Sequence, residues 1–481
     1  MFDTHSTLVW LIGFAVLFTV VGILFSRTDQ RSLEDYVIAR NSQSTMGTTL
    51  TLLATSLGAW ILFAPAQAAT WGGLAAVTGY AVGAMSPRLI MIPLGKRMRQ
   101  VAPSGHTLTE FVSIRFGRPM YLLTLIIILF YMFIALTAEI TAVAKLVTLL
   151  APVPLWVTAV IVMASTLLYT AWGGLRASIF TDKIQMAVIA PLLLILLVFG
   201  WQAVGGAAPV TQGLQTHAPH LLDPGNDIGI KAGLTFFVAI LLTGLFHQGN
   251  WQRVYSARDN RTMRNGFLLG GLLVMPMIFA MGLFGLAFVG LQAPGDSSIA
   301  LFSVLMPSIP DWFGIALIPL ALALVMSTAD TAISAVSSII ATDVRRLSPT
   351  ISKNQLMRLS RWLIVLMSVP VVIAAAQGYS VLYLFLLADL FCSAAAFPVF
   401  YGLFDRHHDG RTAVTSTLFG LAAGLLFFPA PGGKMDYLLE SFLVAALVPV
   451  LVTLVMRPFM KRKMSPFNLD TLNQHVRNLD A

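Results

Sequence analysis

Residues 320–343 constrain this chain most, because they are too apolar for a soluble helix and too polar to face lipid. At a helical period one stripe of this stretch carries four hydroxyl side chains, those of Ser327, Thr331, Ser334 and Ser338. Asp330 lies beside the stripe, and a buried carboxylate needs a cation, a hydrogen-bonding partner or a water-filled cavity. Hydroxyl and carboxylate oxygens are ligands that suit alkali and alkaline-earth ions. The stretch therefore predicts part of a cation site inside a membrane protein.

The overall composition also indicates a membrane protein. Of 481 residues, 57% are hydrophobic and 11% are charged, and the mean hydropathy is +0.81, more apolar surface than a soluble core absorbs. The formal net charge of +9 does not indicate a nucleic-acid partner, because Lys and Arg lie in short segments between apolar runs. The single cysteine, Cys392, excludes an intramolecular disulfide and a cysteine metal cluster.

About thirteen apolar runs have roughly the length needed to cross a bilayer. The first run, 8–25, is preceded by Asp3 and followed by Arg27 and Arg31, the reverse of a signal peptide, so it predicts a retained span with its N-terminus outside. The other runs lie near 46–71, 76–95, 120–150, 154–173, 182–204, 229–249, 266–292, 312–342, 361–377, 379–403, 412–430 and 437–456.

Basic residues alternate between successive connections, with Lys231 and Lys434 as the exceptions. This alternation predicts an all-α polytopic protein of the cell membrane, surrounded by lipid, with a cytoplasmic tail at 457–481. The sequence contains no HExxH, GxSxG or GxxxxGK[ST] motif, which argues against an intramembrane protease, a lipase and an ATP-driven pump. If the protein transports a solute uphill, the energy would therefore come from an ion gradient.

The second span is a candidate for a broken helix. Its Gly58-Ala59 pair and Pro65 favour local unwinding, which would expose backbone carbonyls as ligands. The alternative is a continuous helix that packs closely through its small residues. If the helix is broken, Gly58, Trp60 and Gln67 are candidate substrate contacts.

Three further spans carry interior carboxylates. Glu139 and Asp389 are candidate substrate contacts, or structural acids bonded to a neighbouring helix. Asp182 is a candidate ligand, or a helix-start carboxylate that pairs with Lys183. Acidic interior charge disfavours a dianionic substrate and leaves neutral, zwitterionic or cationic solutes.

Four motifs resemble the sodium/solute symporter family, which includes the sodium/proline, sodium/glucose, pantothenate and sialic acid transporters. They are RSLEDYVIAR, WGGLRASIFTDKIQ, NWQRVYSAR and MSTADTAISAVSSIIATDV, in this order. The resemblance implies a LeuT-type core of two inverted five-helix repeats, at 44–204 and 229–403. An extra helix at 1–26 would precede the core, and two helices at 412–456 would follow it.

The resemblance also implies the ion sites. A first sodium site would use carbonyls of Ala54, Leu57 and Leu324 and hydroxyls of Ser327 and Thr328. A second cation site, present in some members, would match Asp182, Asp330 and Thr331.

Two departures from the family affect these expectations. The proline transporter has an aspartate where this chain has Ser56, which argues against proline as the substrate. Sugar carriers have a threonine where this chain has Asp330, and a carboxylate there would allow a proton to bind instead of sodium.

The expected function is sodium-coupled symport of a small polar organic solute by alternating access, in a monomer or weak homo-oligomer. One alternative is a transporter-like sensor or regulatory subunit, which a long cytoplasmic extension would favour; the tail at 457–481 is too short to be one. Another is a passive facilitator, whose transport would ignore the sodium gradient.

Overall fold

The computed structural model describes residues 3–26, 32–348, 350–461, 466–476 and 479, so Arg27 and Arg31 lie outside the described residues. Within these residues the regular structure is helical, apart from an isolated bridge between Gln43 and Ala257. The helices are α1 (Thr4–Ser26), α2 (Leu33–Val37), α3 (Thr45–Ser56), α4 (Ala64–Val101), α5 (Leu108–Phe116), α6 (Arg118–Leu150), α7 (Leu155–Ala203), α8 (Ala207–His217), α9 (Asp227–Gly244), α10 (Gln248–Ser256), α11 (Asn260–Gly290), α12 (Ala300–Leu305), α13 (Asp311–Leu347), α14 (Lys353–Ala375), α15 (Val381–Tyr401), α16 (Gly410–Leu425) and α17 (Leu438–Lys461).

Ten helical segments in the described part of the chain are long and apolar enough to cross a membrane, and one of them, Ser178–Ala203, is the second part of α7. The first part of α7, Leu155–Thr170, is apolar but shorter. The predicted count of thirteen spans is not confirmed by these lengths, and it stays a prediction. The three longest helices exceed the ~30 Å hydrocarbon layer, because α13 has 37 residues, α4 has 38 and α7 has 49. In α4 the backbone departs from helical geometry at Gly73, where φ is 62°, and a side chain there would meet the Leu221 backbone.

The second predicted span is broken, as its Gly58-Ala59 pair suggested. Helix α3 ends at Ser56, Leu57 has φ −96° and ψ 79°, and Gly58 is extended. A short 3₁₀ turn, Ala59–Leu62, then leads into α4. The carbonyls that follow Leu53 in α3 therefore lose their usual partners within the helix.

A second break lies between α9 and α10, inside the run 229–249 that the sequence predicts as one span. No glycine or proline occupies residues 245–247, but two side chains from α10 stabilise the break. Asn250 donates from Nδ2 to the Gly244 carbonyl at 2.9 Å, and Trp251 donates from Nε1 to the Leu245 carbonyl at 2.8 Å. They satisfy carbonyls that a continuous helix would pair internally.

Small residues allow the helices around these breaks to pack closely. A side chain at Gly79 of α4 would collide with the backbone of Gly233 in α9, and one at Gly285 of α11 would collide with the backbone of Ala66. Helix α13 is well enclosed, because 78% of its most apolar 18-residue stretch is buried, whereas the corresponding share for α14 is 28%. The polar stripe of α13 is thus held away from lipid, whereas α14 presents apolar side chains outward.

Candidate functional site

Helices α3 and α13 meet at a cluster of neutral oxygen atoms. The Ser327 hydroxyl of α13 donates to the Ala54 carbonyl at 3.1 Å and to the Leu324 carbonyl at 2.9 Å. Thr328 donates to the carbonyls of Leu324 and Val325, each at 3.1 Å. Ala54, Leu324 and Ser327 are fully buried. The arrangement gathers hard, uncharged ligands of the kind that sodium accepts.

Leu57 lies at the break itself, immediately after α3, and is fully buried. Its amide donates to Leu53, which closes the last turn of α3. Four of the five residues expected at the first sodium site, Ala54, Leu324, Ser327 and Thr328, are therefore linked by hydrogen bonds, and Leu57 follows on the same unwound segment. Their donor set fits a sodium ion.

Glu139 of α6 stabilises the other side of the break. Its Oε2 accepts a hydrogen bond from the Ala59 amide at 2.7 Å, and the side chain is buried. A Cβ at Gly58 would collide with the Glu139 carboxylate, so only glycine leaves room for it. The carboxylate therefore caps the 3₁₀ turn at its N-terminal end, where negative charge is favourable.

A cavity of about 130 Å³ lies beside this cluster, well above the roughly 10–15 Å³ that one water needs. Its lining includes Trp60, Glu139 and Asp389, and also Thr328 from the ion-ligand cluster. Gly58 and Gln67 are not part of this lining. Gln67 instead accepts a hydrogen bond from Ser380 at 2.9 Å.

Arg88 of α4 also lines the cavity, although the sequence analysis did not single it out. It lies inside the apolar run 76–95, eight residues before the basic cluster that begins at Lys96. An arginine within an apolar run was the signal that could have identified it.

The second predicted cation site is a buried polar cluster. Asp330 accepts hydrogen bonds from three hydroxyls of α7, those of Tyr169 at 3.0 Å, Ser178 at 2.9 Å and Thr181 at 2.9 Å. The Thr331 hydroxyl donates a hydrogen bond to Asp330 Oδ1 at 3.4 Å. These bonds bring α7, which carries Asp182, against α13, which carries Asp330 and Thr331.

Arg253 of α10 supplies positive charge to this cluster. Its Nη2 lies 2.8 Å from Asp182 Oδ2 and 3.1 Å from Thr331 Oγ1, and the side chains of Arg253 and Asp182 are fully buried. Lys183, the partner considered from the sequence, instead donates to Gln43 at 3.2 Å. Arg253 was not among the predicted site residues, because it follows the apolar run 229–249 and resembles the basic residues of a connection. Its position in the NWQRVYSAR motif was the available signal.

Two buried atoms of this cluster, Asp182 Oδ1 and Arg253 Nε, have no hydrogen-bond partner among the residues that the structure describes. No group of three or more His, Cys, Asp and Glu side chains suited to a metal occurs within the described ranges.

The sodium:solute symporter family matches residues 36–420 of this chain. The spermidine transporter DUR31 of Candida albicans is 25% identical over 378 residues, 78% of this chain and 70% of that protein. The sodium/pantothenate symporter of Escherichia coli is 27% identical over 56% of this chain and 58% of its own length. Mouse sodium/glucose cotransporter 4 is 25% identical over 94% of this chain and 75% of its own length.

Solved structures show the same fold. A substrate-bound, outward-open sodium-coupled sialic acid symporter superposes with a TM-score of 0.77 at 18% identity, over 96% of this chain and 99% of that one. Mhp1, a nucleobase-cation-symport-1 family transporter, gives 0.59 at 13% identity, over 92% and 98% of the two chains. The fold is thus a LeuT-type inverted repeat in a multi-pass membrane protein. From the extent of the family match, the chain belongs to the sodium:solute symporter family, whose members are transporters and not enzymes, and it carries out sodium-coupled secondary transport of a small solute.

Proposed function

We propose that the coupling sodium ion binds between α3 and α13 and that the solute occupies the neighbouring cavity. The ligands would be the carbonyls of Ala54, Leu57 and Leu324 and the hydroxyls of Ser327 and Thr328. The observation that carries this proposal is the 3.1 Å contact between Ser327 Oγ and the Ala54 carbonyl. It joins the broken helix of the first repeat to α13 of the second. An ion held there would favour one arrangement of the two repeats.

The cavity gives this ion site a physical connection to the solute. Thr328 belongs to both, and Trp60 and Glu139 lie on the cavity wall beside the break that carries Leu57. Trp60, Glu139 and Asp389 are the proposed solute contacts. Gly58 leaves room for the Glu139 carboxylate, and Gln67 accepts a hydrogen bond from Ser380 at the start of α15. We propose these supporting roles in place of direct solute contact. Sodium binding would order the same break that the solute contacts.

We further propose that one sodium ion is coupled to each solute, because Arg253 takes the place of a second cation. The guanidinium lies 2.8 Å from Asp182 and contacts Thr331, which together with Asp330 was the expected second site. Arg253 neutralises charge that would otherwise require an ion or a proton. A second sodium would have to displace it.

The proposed setting is the cell membrane, with the N-terminus outside and the tail at 457–481 cytoplasmic, in a monomer or weak homo-oligomer without a nucleic-acid partner. The charge alternation supports this orientation. Exposed apolar residues such as Leu366 and Val455 support lipid contact along α14 and α17. The domain bounds proposed from the sequence, 1–26, 44–204, 229–403 and 412–456, place a broken helix near the start of each repeat.

A thermal-shift titration of the purified protein tests the proposal, with sodium chloride compared against choline chloride. Sodium should stabilise the parent, and Ser327→Ala should raise the half-maximal sodium concentration by roughly tenfold, because a ligand is lost. Ser338→Ala is the matched control, since its hydroxyl is also buried on α13 but bonds only the Ala335 carbonyl of its own helix. Equal stability in the two salts would contradict the proposed site. A screen of candidate solutes with and without sodium would then identify the cargo, and sodium-independent binding and uptake would favour a facilitator.

A further inference from the structure

Arg88 is a guanidinium without an acidic partner among the residues that the structure describes. It donates to the carbonyl of Ala84, on its own helix, and to the hydroxyl of Ser56. Its Nε is buried and makes no hydrogen bond within the described part of the chain. The side chain lines the cavity, so any anion in the cavity would have access to it.

An arginine in this setting is poised to bind an anion. Neutral hydrogen bonds compensate only part of the cost of removing the charge from water, and a carboxylate compensates much more. The planar guanidinium matches a carboxylate through two parallel hydrogen bonds. Glu139 does not fill this role, because its Oε2 is bonded to the Ala59 amide and it makes no ion pair with Arg88 in the described structure.

The wall of the same cavity also carries an acidic group. Asp389 is buried there and has no ion-pair partner within the described residues. Trp60 packs against Tyr80 and Phe385, with ring centroids 5.8 Å apart in both pairs. All three rings line the cavity. A carboxylate with aromatic faces is a suitable environment for an ammonium group.

From these two features we infer that the transported solute is a small zwitterion, such as an amino acid or a betaine. Its carboxylate is held by Arg88, and its cationic nitrogen is held by Asp389 and the aromatic rings. This inference rests on the proposed function, in which the cavity holds the solute.

Matched probe trios test the inference by thermal shift in saturating sodium. L-alanine is compared with propionate and ethylamine, and 4-aminobutyrate with butyrate and propylamine. Glycine betaine is compared with acetate and tetramethylammonium. In at least one trio the zwitterion should bind more tightly than both of its analogues. Stabilisation by neutral solutes such as glucose or urea, with no shift from any zwitterion, would overturn the inference.

Substitutions at Arg88 identify which group binds the carboxylate. Arg88→Gln should weaken binding of the preferred zwitterion by roughly tenfold to a hundredfold, to the level of its amine analogue. Arg88→Lys, which keeps the charge but loses the planar pair of donors, should lie between the two. Undiminished zwitterion binding by Arg88→Gln would overturn the assignment.

The stability of the solute-free protein gives a readout that needs no ligand. Arg88→Gln should unfold at the same or a higher temperature than the parent, because an uncompensated buried charge is removed. Arg115→Gln is the control, and it should unfold at a lower temperature. Arg115 bonds the carbonyls of Gly402 at 3.0 Å and Asp405 at 2.6 Å. A loss for Arg88→Gln as large as for Arg115→Gln would mean that Arg88 is structural and would overturn the inference.

Failure of this inference is distinguishable from failure of the sodium site. Sodium without solute should stabilise the parent and Arg88→Gln equally, because Arg88 is not among the proposed sodium ligands. Loss of sodium stabilisation from the parent itself would contradict the sodium site. A normal sodium response without any preference for zwitterions would contradict only the assignment of the solute.

Discussion

Replacing Arg253 by methionine should expose the electrostatic role of this residue. The change removes a fully buried cation that lies 2.8 Å from Asp182, and it leaves that carboxylate buried without its partner. Removing one member of a buried ion pair typically costs about 3–5 kcal/mol. Asp330 keeps its three hydroxyl donors, so the loss should come mainly from Asp182. We expect Arg253→Met to destabilise the folded protein by about 3–5 kcal/mol in choline chloride.

Sodium should restore part of this stability, because the vacated space lies beside two carboxylates and the Thr331 hydroxyl. An ion present at 100 times its dissociation constant contributes about 2.7 kcal/mol. The sodium response should persist in Arg253→Met combined with Ser327→Ala, since the new ion site is separate from the first. Asp182→Asn in the Arg253→Met background should recover stability without sodium, because it removes the unpaired charge.

Thermal or chemical denaturation of the purified variants, followed by intrinsic fluorescence in both salts, measures these differences. A loss below about 1 kcal/mol for Arg253→Met would refute the reasoning, because it would place the pair in the range of exposed ion pairs. A sodium response that disappears in the double variant would show that no second ion site had been created.

Three further predictions concern single residues. Gly58→Ala should lower both the uptake rate and the unfolding temperature, because the new Cβ would displace Glu139 from the Ala59 amide. Gly13→Ala is the control and should be neutral, because no described atom lies within 4 Å of a Cβ at that position. Glu139→Gln should stay within about 1 kcal/mol of the parent in stability, because the amide oxygen of the new side chain still caps the turn. In a competition assay the variant should change selectivity among solutes. Unchanged selectivity with a lower folded yield would show that Glu139 is a structural acid. Burial lowers the pKa of His408 from 6.5 to about 4, so protonation of this side chain opposes folding. The free energy of unfolding should therefore decrease by roughly 1–3 kcal/mol as the pH falls from 6.5 towards 4. His408→Gln should flatten that part of the denaturation profile, and an unchanged profile would contradict this account.

The polar stripe of α13 was predictable because its information is local. Hydroxyls at a helical spacing, with a carboxylate beside them, identify a buried polar face in an apolar helix. The break in the second span was similarly indicated by Gly58 and Ala59. The family and its ion coupling followed from four local motifs in order, and the comparisons confirm both.

The parts that escaped prediction depend on contacts between distant residues. The break before α10 is stabilised by Asn250 and Trp251, and neither side chain is a breaker signal in the sequence. Arg253 resembles the basic residues that set topology, and its burial against Asp182 becomes evident only when α7 and α10 meet. The periodicity of the sequence therefore could not predict that Arg253 pairs with Asp182 or that Arg88 lies on the cavity wall.

Equilibrium binding of radioactive sodium to the purified protein tests the central claim most directly, because it needs no knowledge of the solute. The account predicts one saturable sodium ion per chain for the parent, unchanged by Ser338→Ala. Ser327→Ala should lose this binding at the same sodium concentration, and Arg253→Met should gain a second ion. Undiminished binding by Ser327→Ala would contradict the proposed site between α3 and α13, and two ions per chain in the parent would contradict the single-ion coupling proposed from Arg253.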